Sequence, residues 1–266
     1  MESTSATTSS DVLSQHLAAL GARNRRALVT YITAGHPTPD DTVSLMRALE
    51  DAGADVIEVG VPFSDPMADG PVIQASSQRG LDQGVTFDRT LQLIASAGVG
   101  VPVVLFSYLN PVLAAGDDAL SRAAQSGAHG ILITDLPVGA DAVRERWFGE
   151  GPLAFVRLAA PTTPIERMRE IAAHGSGFVY LISRLGVTGA RDDVAADLPD
   201  VVARLRLATA MPICVGFGIS TPAQARAVGR LADGIVVGSA IVRAAEQGVA
   251  AAAALTRSLR EALDDA

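Results

Sequence analysis

Three carboxylates punctuate one short run, Val56-Ile57-Glu58-Val59-Gly60-Val61-Pro62-Phe63-Ser64-Asp65-Pro66-Met67-Ala68-Asp69-Gly70-Pro71. Glu58 interrupts an apolar stretch of strand-forming residues. Asp65 and Asp69 follow in a loop broken by Pro and Gly. An ionised carboxylate loses its water on burial, which is costly, and strands of a parallel sheet are covered on both faces. A Glu in such a wall has its pKa raised and exchanges protons near neutrality. Glu58 and Asp69, the latter flanked by Ala68 and Gly70, therefore form a candidate acid/base pair. The competing readings are a structural ion pair for Glu58 and a plain turn for Asp69, since Asp-Gly is a common turn pair. For Asp65, before Pro66, the turn is preferred.

The elements that would position these groups follow from periodicity. Eight short apolar, β-branched runs recur at residues 28–33, 55–61, 101–106, 130–134, 153–158, 178–182, 212–215 and 234–237, each too short for a helix. Amphipathic stretches of helical length lie between them, at 41–52, 87–97, 119–126, 140–148, 165–174, 198–208, 222–231 and 240–247. Gly53, Gly127 and Gly175 mark helix ends ahead of strands. Thr38-Pro39 and Thr221-Pro222 mark helix starts. Eight β-then-α units predict an α/β fold, a single-domain (β/α)₈ TIM barrel over residues 11–266, with an open doubly wound sheet as the alternative. An N-terminal helix at 11–20 is expected to plug the barrel floor. An extra short helix is expected at 71–81, after the second strand. Residues 1–10, Ser/Thr-rich with no apolar core, read as a disordered tail and not a signal peptide.

Barrels of this type hold their active site at the C-terminal ends of the strands. The seventh strand exits into Gly216-Phe217-Gly218-Ile219-Ser220 and the eighth into Gly238-Ser239-Ala240. These are the two exits where barrels often bind phosphate, through backbone N–H groups that glycine leaves unobstructed. Gly218, Gly238 and Ser239 are the candidate phosphate contacts, with Gly189 closing the site from the side. Tyr180 can offer a hydroxyl inside the barrel or be a satisfied core residue. Tyr108 can line the pocket or a partner surface.

Other chemistries are excluded or disfavoured. The basic residues are all Arg, so no Schiff-base lysine exists. No phosphate-loop or dinucleotide fingerprint is present. The four His residues lie far apart, so no metal is expected. A net charge of −8 and a pI of about 5.0 argue against a nucleic-acid surface. Arg23, Arg25 and Arg26 read as a solvated edge. One cysteine, Cys214, suits a cytoplasmic setting, and no uncharged apolar run is long enough to span a membrane.

Taken together, several strings resemble the tryptophan synthase α-subunit family. They are Glu58-Val59-Gly60-Val61-Pro62-Phe63-Ser64-Asp65-Pro66 with Ala68-Asp69-Gly70-Pro71, Gly84-Val85-Thr86, Tyr108-Leu109-Asn110-Pro111, Asp135-Leu136-Pro137, Ser183-Arg184 with Gly186-Val187-Thr188-Gly189, Gly216-Phe217-Gly218-Ile219-Ser220 and Gly238-Ser239-Ala240-Ile241-Val242. They run in family order over roughly residues 25–247. The resemblance implies a lyase of tryptophan biosynthesis. It would cleave indole-3-glycerol phosphate to indole and glyceraldehyde 3-phosphate by a retro-aldol reaction without a cofactor. The family's catalytic Glu and Asp fall on Glu58 and Asp69, and its pocket Tyr on Tyr180. Tyr108 and Phe217 join the substrate pocket, and Thr188 a closing loop. The phosphate contacts fall on Gly189, Gly218, Gly238 and Ser239. The implied partner is a β subunit carrying pyridoxal phosphate, in an α2β2 heterotetramer, docked on the loops around 62–71 and 108–111. A stand-alone lyase, a non-catalytic activator of the β subunit and another phosphate-binding barrel are the competing functions. This chain departs from the family in reading Gly-His-Pro at His36, where Gly-Asp-Pro is common, and in a longer N-terminal lead.

Overall fold

Alternation along each strand decides which side chains meet inside. In the computed structural model, which describes residues 9–183, 197–216 and 218–266, eight parallel strands close into a barrel in sequence order. They are β1 (Ala27–Thr33), β2 (Val56–Gly60), β3 (Val103–Ser107), β4 (Ala128–Ile133), β5 (Ala154–Ala159), β6 (Val179–Ile182), β7 (Ile213–Gly216) and β8 (Gly234–Val237). One parity, including Val29, Val56, Val104, Leu132, Val156 and Val236, packs inside the barrel. The other, including Leu28, Ile57, Leu105, Ile131, Val179 and Ile235, packs against the helices. Eight closed β/α units leave no room for the doubly wound alternative.

The helices among the described residues are α1 (Ser9–Ala22), α2 (Pro39–Asp51), α3 (Pro71–Asp82), α4 (Phe87–Ala97), α5 (Leu109–Ala114), α6 (Ala119–Gln125), α7 (Ala142–Gly149), α8 (Ile165–Ala173), α9 (Leu198–Ala208), α10 (Pro222–Gly229), α11 (Ser239–Ala245) and α12 (Val249–Asp264). Thr38 and Thr221 cap α2 and α10 as their sequence suggests, Thr221 in a full capping box with Gln224. Gly53 and Gly127 take positive φ. Ahead of β6 the left-handed residue is Gly177, not Gly175.

α1 does plug the floor. Its Leu13 and Leu17 are buried with the interior parity of the strands. A Cβ on Gly177 would come within 2.8 Å of Leu13 Cδ2, so glycine there admits the plug. The helix begins at Ser9, inside the stretch read as a tail; residues 1–8 lie outside the described residues.

Two sequence readings need correction. Arg25 and Arg26 do not form a solvated edge. Arg25 Nε donates to Asp55 Oδ1 at 3.1 Å, and Arg26 Nε donates to the Gly229 carbonyl at 2.9 Å. Asp55 also accepts from Leu28 N and from Arg260 Nη1, each at 2.8 Å, so a buried carboxylate ties α12 to the barrel base. Residues 108–111, read as an exit loop, lead into α5. Pro111 sits in its first turn, where proline costs no hydrogen bond. Asp135 Oδ1, from the β4 exit, accepts from Leu109 N at 2.7 Å.

Candidate active site

Glu58 sits in the middle of β2, paired in register with Tyr31 of β1 and Val104 of β3. It shares the inward parity of Val56. Only 1% of it is exposed, and its Oε1 has no hydrogen-bond partner among the described residues. Burial alone pushes its pKa up to about 8. A structural ion pair would have pulled the pKa the other way, so the ion-pair reading does not hold. A carboxyl left protonated and unpaired in a wall facing open space is poised for proton transfer.

That space is a cavity of about 340 Å³ at the C-terminal mouth of the barrel. Glu58, Asp69, Tyr31, Ile73, Phe106 and Tyr180 line one part of it. Gly218, Ile219, Ser220, Gly238, Ser239, Ala240 and Arg243 line another. Hollows of about 470 and 480 Å³ lie beside α7 and at the barrel floor. The buried acid of the first, Glu145, is paired with Arg157 at 2.7 Å, so size does not pick the site and chemistry does.

Asp69 ends the loop between β2 and α3 and is half-buried. Tyr108 Oη donates to its Oδ2 at 2.9 Å and accepts from Ala68 N at 2.9 Å. The Tyr108 ring packs on Phe63 with centroids 5.1 Å apart. Tyr108 thus stands behind Asp69 and holds the loop over the mouth; it is not among the residues lining the cavity. Burial raises the Asp69 pKa to about 6, against the Tyr108 hydrogen bond, which lowers it. At neutral pH Asp69 is mostly ionised while Glu58 holds its proton. Asp65 is exposed and accepts from Ser64 Oγ, and its carbonyl accepts from Met67 N at 2.8 Å, just ahead of the turn at Met67 and Ala68.

Tyr180 on β6 is buried at the cavity wall. A Cβ on Gly216 would lie 2.2 Å from its hydroxyl, and a Cβ on Gly60 would lie 2.1 Å from that of Tyr31. Both strand-end glycines are therefore required by a tyrosine. Burial and the nearby carboxylates push both phenols up, so they remain neutral hydroxyls.

At the far end, Gly218 takes a φ of +90°, Gly238 is the N-cap of α11, and Ser239 is its first residue. The first N–H groups of a helix have no intrahelical acceptor. Arg243, one turn further, is exposed and is the one basic side chain among the described lining residues. Thr188, Gly189 and Phe217 lie outside the described residues. His36 is buried, with Nε2 3.9 Å from Glu246 Oε1, and burial lowers its pKa.

The sequence reading passed over Tyr31, Phe106, Ile73 and Arg243. Strand parity carries the signal for Tyr31, two positions from Val29. The spacing of four from Ser239 carries it for Arg243, since residues four apart share a helix face.

Residues 17–265 match the profile of a family described as tryptophan synthase alpha chain. A tryptophan synthase alpha chain from Caulobacter sp. (strain K31) is 47% identical over 256 residues, 94% of this chain and 91% of that one. One from Laribacter hongkongensis (strain HLHK9) is 46% identical over 260 residues, 95% of this chain and 98% of that one. The crystal structure of tryptophan synthase subunit alpha from Legionella pneumophila str. Paris superposes with a TM-score of 0.86 at 36% identity, covering 98% of this chain and 100% of that one.

Proposed function

The chain belongs to the tryptophan synthase alpha chain family, and from that premise we propose that Glu58 and Asp69 carry its retro-aldol cleavage of indole-3-glycerol phosphate. The products are indole and glyceraldehyde 3-phosphate. The observation that supports these two residues most is Glu58 itself, buried, unpartnered at Oε1 and facing a cavity shared with Asp69.

The bond to be broken joins ring carbon C3 of indole to the carbinol carbon of the glycerol chain. Glu58, protonated in the resting site, gives its proton to C3. The carboxylate so formed takes the proton of the adjacent hydroxyl. The O–H pair becomes the aldehyde C=O, and the C–C pair returns to the ring and restores indole. Glu58 ends protonated, ready for another turn, and the step needs no cofactor. Positive charge grows on the indole N–H when C3 is protonated. The Asp69 carboxylate, held by Tyr108, stabilises it. The phosphate is anchored by N–H groups at Gly189, Gly218, Gly238 and Ser239, with Arg243 adding charge at the rim. Tyr180, at the cavity wall, contacts the rest, and the family resemblance assigns Phe217 and Thr188 to the same substrate.

Pyridoxal phosphate belongs to the β chain, which takes up the indole in an α2β2 assembly in the cytoplasm. The loop that carries Asp69 also carries Met67, 89% exposed. A large apolar side chain at that loop tip suits the β-subunit face. Docking there reaches the catalytic Asp directly.

The test is steady-state indole release from indole-3-glycerol phosphate by the chain alone and with a tryptophan synthase β subunit, with the mass of the mixture taken by light scattering. The expected result is weak cleavage alone, a strong rise with β, and a mass of two chains of each kind. High activity unchanged by β would make the chain a stand-alone lyase. Activation of β without any cleavage would leave it a non-catalytic activator.

A further inference from the structure

A chain of hydroxyls fixes which way the Tyr31 phenol points its proton. Ser76 Oγ donates to the Ile73 carbonyl at 2.8 Å. A hydroxyl has one proton, so at its 2.6 Å contact with Thr33 Oγ1 Ser76 accepts and Thr33 donates. The Thr33 proton is then spent. In the 3.2 Å contact between Tyr31 Oη and Thr33 Oγ1, Tyr31 must be the donor. Its proton is directed away from the cavity, and no described group donates to its oxygen. Ser76 and Thr33 are fully buried, so water does not compete for the chain.

The position of the ring says what the oxygen would meet. Tyr31 pairs in register with Glu58, and its hydroxyl lies over Gly60 at the end of the same strand. Its Cβ, Cγ and Cδ1 lie 3.6–3.7 Å from a Cβ built on Gly238. The ring packs edge-on against Phe106, with centroids 5.2 Å apart and planes at 79°. Tyr31 therefore bridges the proton-transfer residue and the phosphate end. The part of the substrate that spans the same interval is the glycerol chain, with its two hydroxyl donors.

We propose that the Tyr31 hydroxyl oxygen accepts a hydrogen bond from a glycerol hydroxyl of the bound substrate, and that the Thr33–Ser76–Ile73 chain sets it as an acceptor. This rests on the functional reading above and adds to it a specificity-determining residue for the substrate's hydroxyls. A site that pairs a substrate hydroxyl rejects an analogue lacking it.

The experiment uses the full chain with its β subunit and three variants, Tyr31→Phe, Ser76→Ala and the double variant. Two numbers are read for each: KM for indole-3-glycerol phosphate, and Kd for indole-3-propanol phosphate, which lacks both chain hydroxyls. Tyr31→Phe keeps the ring and removes the acceptor, and should raise KM about five- to twentyfold. Ser76→Ala frees the Thr33 proton to claim the Tyr31 oxygen, and should raise KM in the same direction. The double variant should be no worse than Tyr31→Phe, because both changes disable one contact. The Kd of the propanol analogue should stay within about twofold throughout. An unchanged KM in Tyr31→Phe, additive losses in the double variant, or an equal loss of analogue binding would each overturn the proposal. If the unaltered chain cleaves no substrate, the functional reading fails instead, and the two failures are distinct.

Discussion

Replacing Glu58 with Gln should leave a folded barrel that binds indole-3-glycerol phosphate and does not cleave it. Gln has the shape of a protonated Glu but cannot give up or take a proton. General acid–base catalysis is worth about 10²–10⁴ in rate, and in the proposed step one carboxyl acts first as acid and then as base. The expected fall in kcat is at least about a thousandfold. KM should move only a few-fold, because the proposed phosphate contacts Gly218, Gly238 and Ser239 line another part of the cavity from Glu58. Asp69→Asn keeps a partner for Tyr108 but removes the charge, so its loss, about 10²–10³, should also fall on kcat. Indole release under saturating substrate, with circular dichroism to confirm the fold, reads both. Retention of more than a tenth of wild-type turnover in Glu58→Gln would end the proton-transfer assignment.

The same substitution should stabilise the protein at alkaline pH. Glu58 titrates near 8 in the folded chain, against an ordinary value of 4.5. A carboxyl whose folded pKa is raised contributes its full stability below its unfolded pKa. That contribution is lost as pH climbs toward the folded pKa. The stability advantage of Glu58→Gln over wild type should therefore grow between about pH 4.5 and 8 and level off above. Its plateau should be on the order of 3–5 kcal/mol. Asp69, raised to about 6, adds a smaller penalty of the same sign in both proteins, so the difference isolates Glu58. Urea unfolding at pH 5 and pH 9 measures it. Curves for the two proteins that run parallel across this range would mean that Glu58 is ionised without cost. Such a penalty at a residue proposed to carry the reaction is the trade of stability for activity that functional sites commonly show.

Much of the barrel was legible because a buried parallel strand and an amphipathic helix leave distinct periods. Glu58 stood out for the opposite reason, as a charge where the period demands an apolar side chain. Tyr31 did not stand out, because tyrosine is an ordinary strand residue and its value lies in which neighbours its hydroxyl meets across three elements. Arg243 sat in a helix whose polar face looked like any solvated face. The bases of Arg25 and Arg26 were misread because their partners, Asp55 and the Gly229 carbonyl, are distant in sequence. α5 was missed because Asn-Pro is a turn signal unless another strand's exit supplies a cap, as Asp135 does. Local pattern names elements well. It does not name contacts made between them, and the finer parts of this site are such contacts.

Both predictions at Glu58 stand on one physical state, a carboxyl that keeps its proton through neutral pH in the barrel wall. Difference infrared spectroscopy, wild type against Glu58→Gln, reads that state directly from the C=O stretch of a protonated carboxyl. The expected result is a band present at pH 7, lost with a midpoint near 8 and absent from the variant. A wild type with no such band above pH 6 would show Glu58 ionised in the resting site. It could then not be the acid that protonates the indole ring.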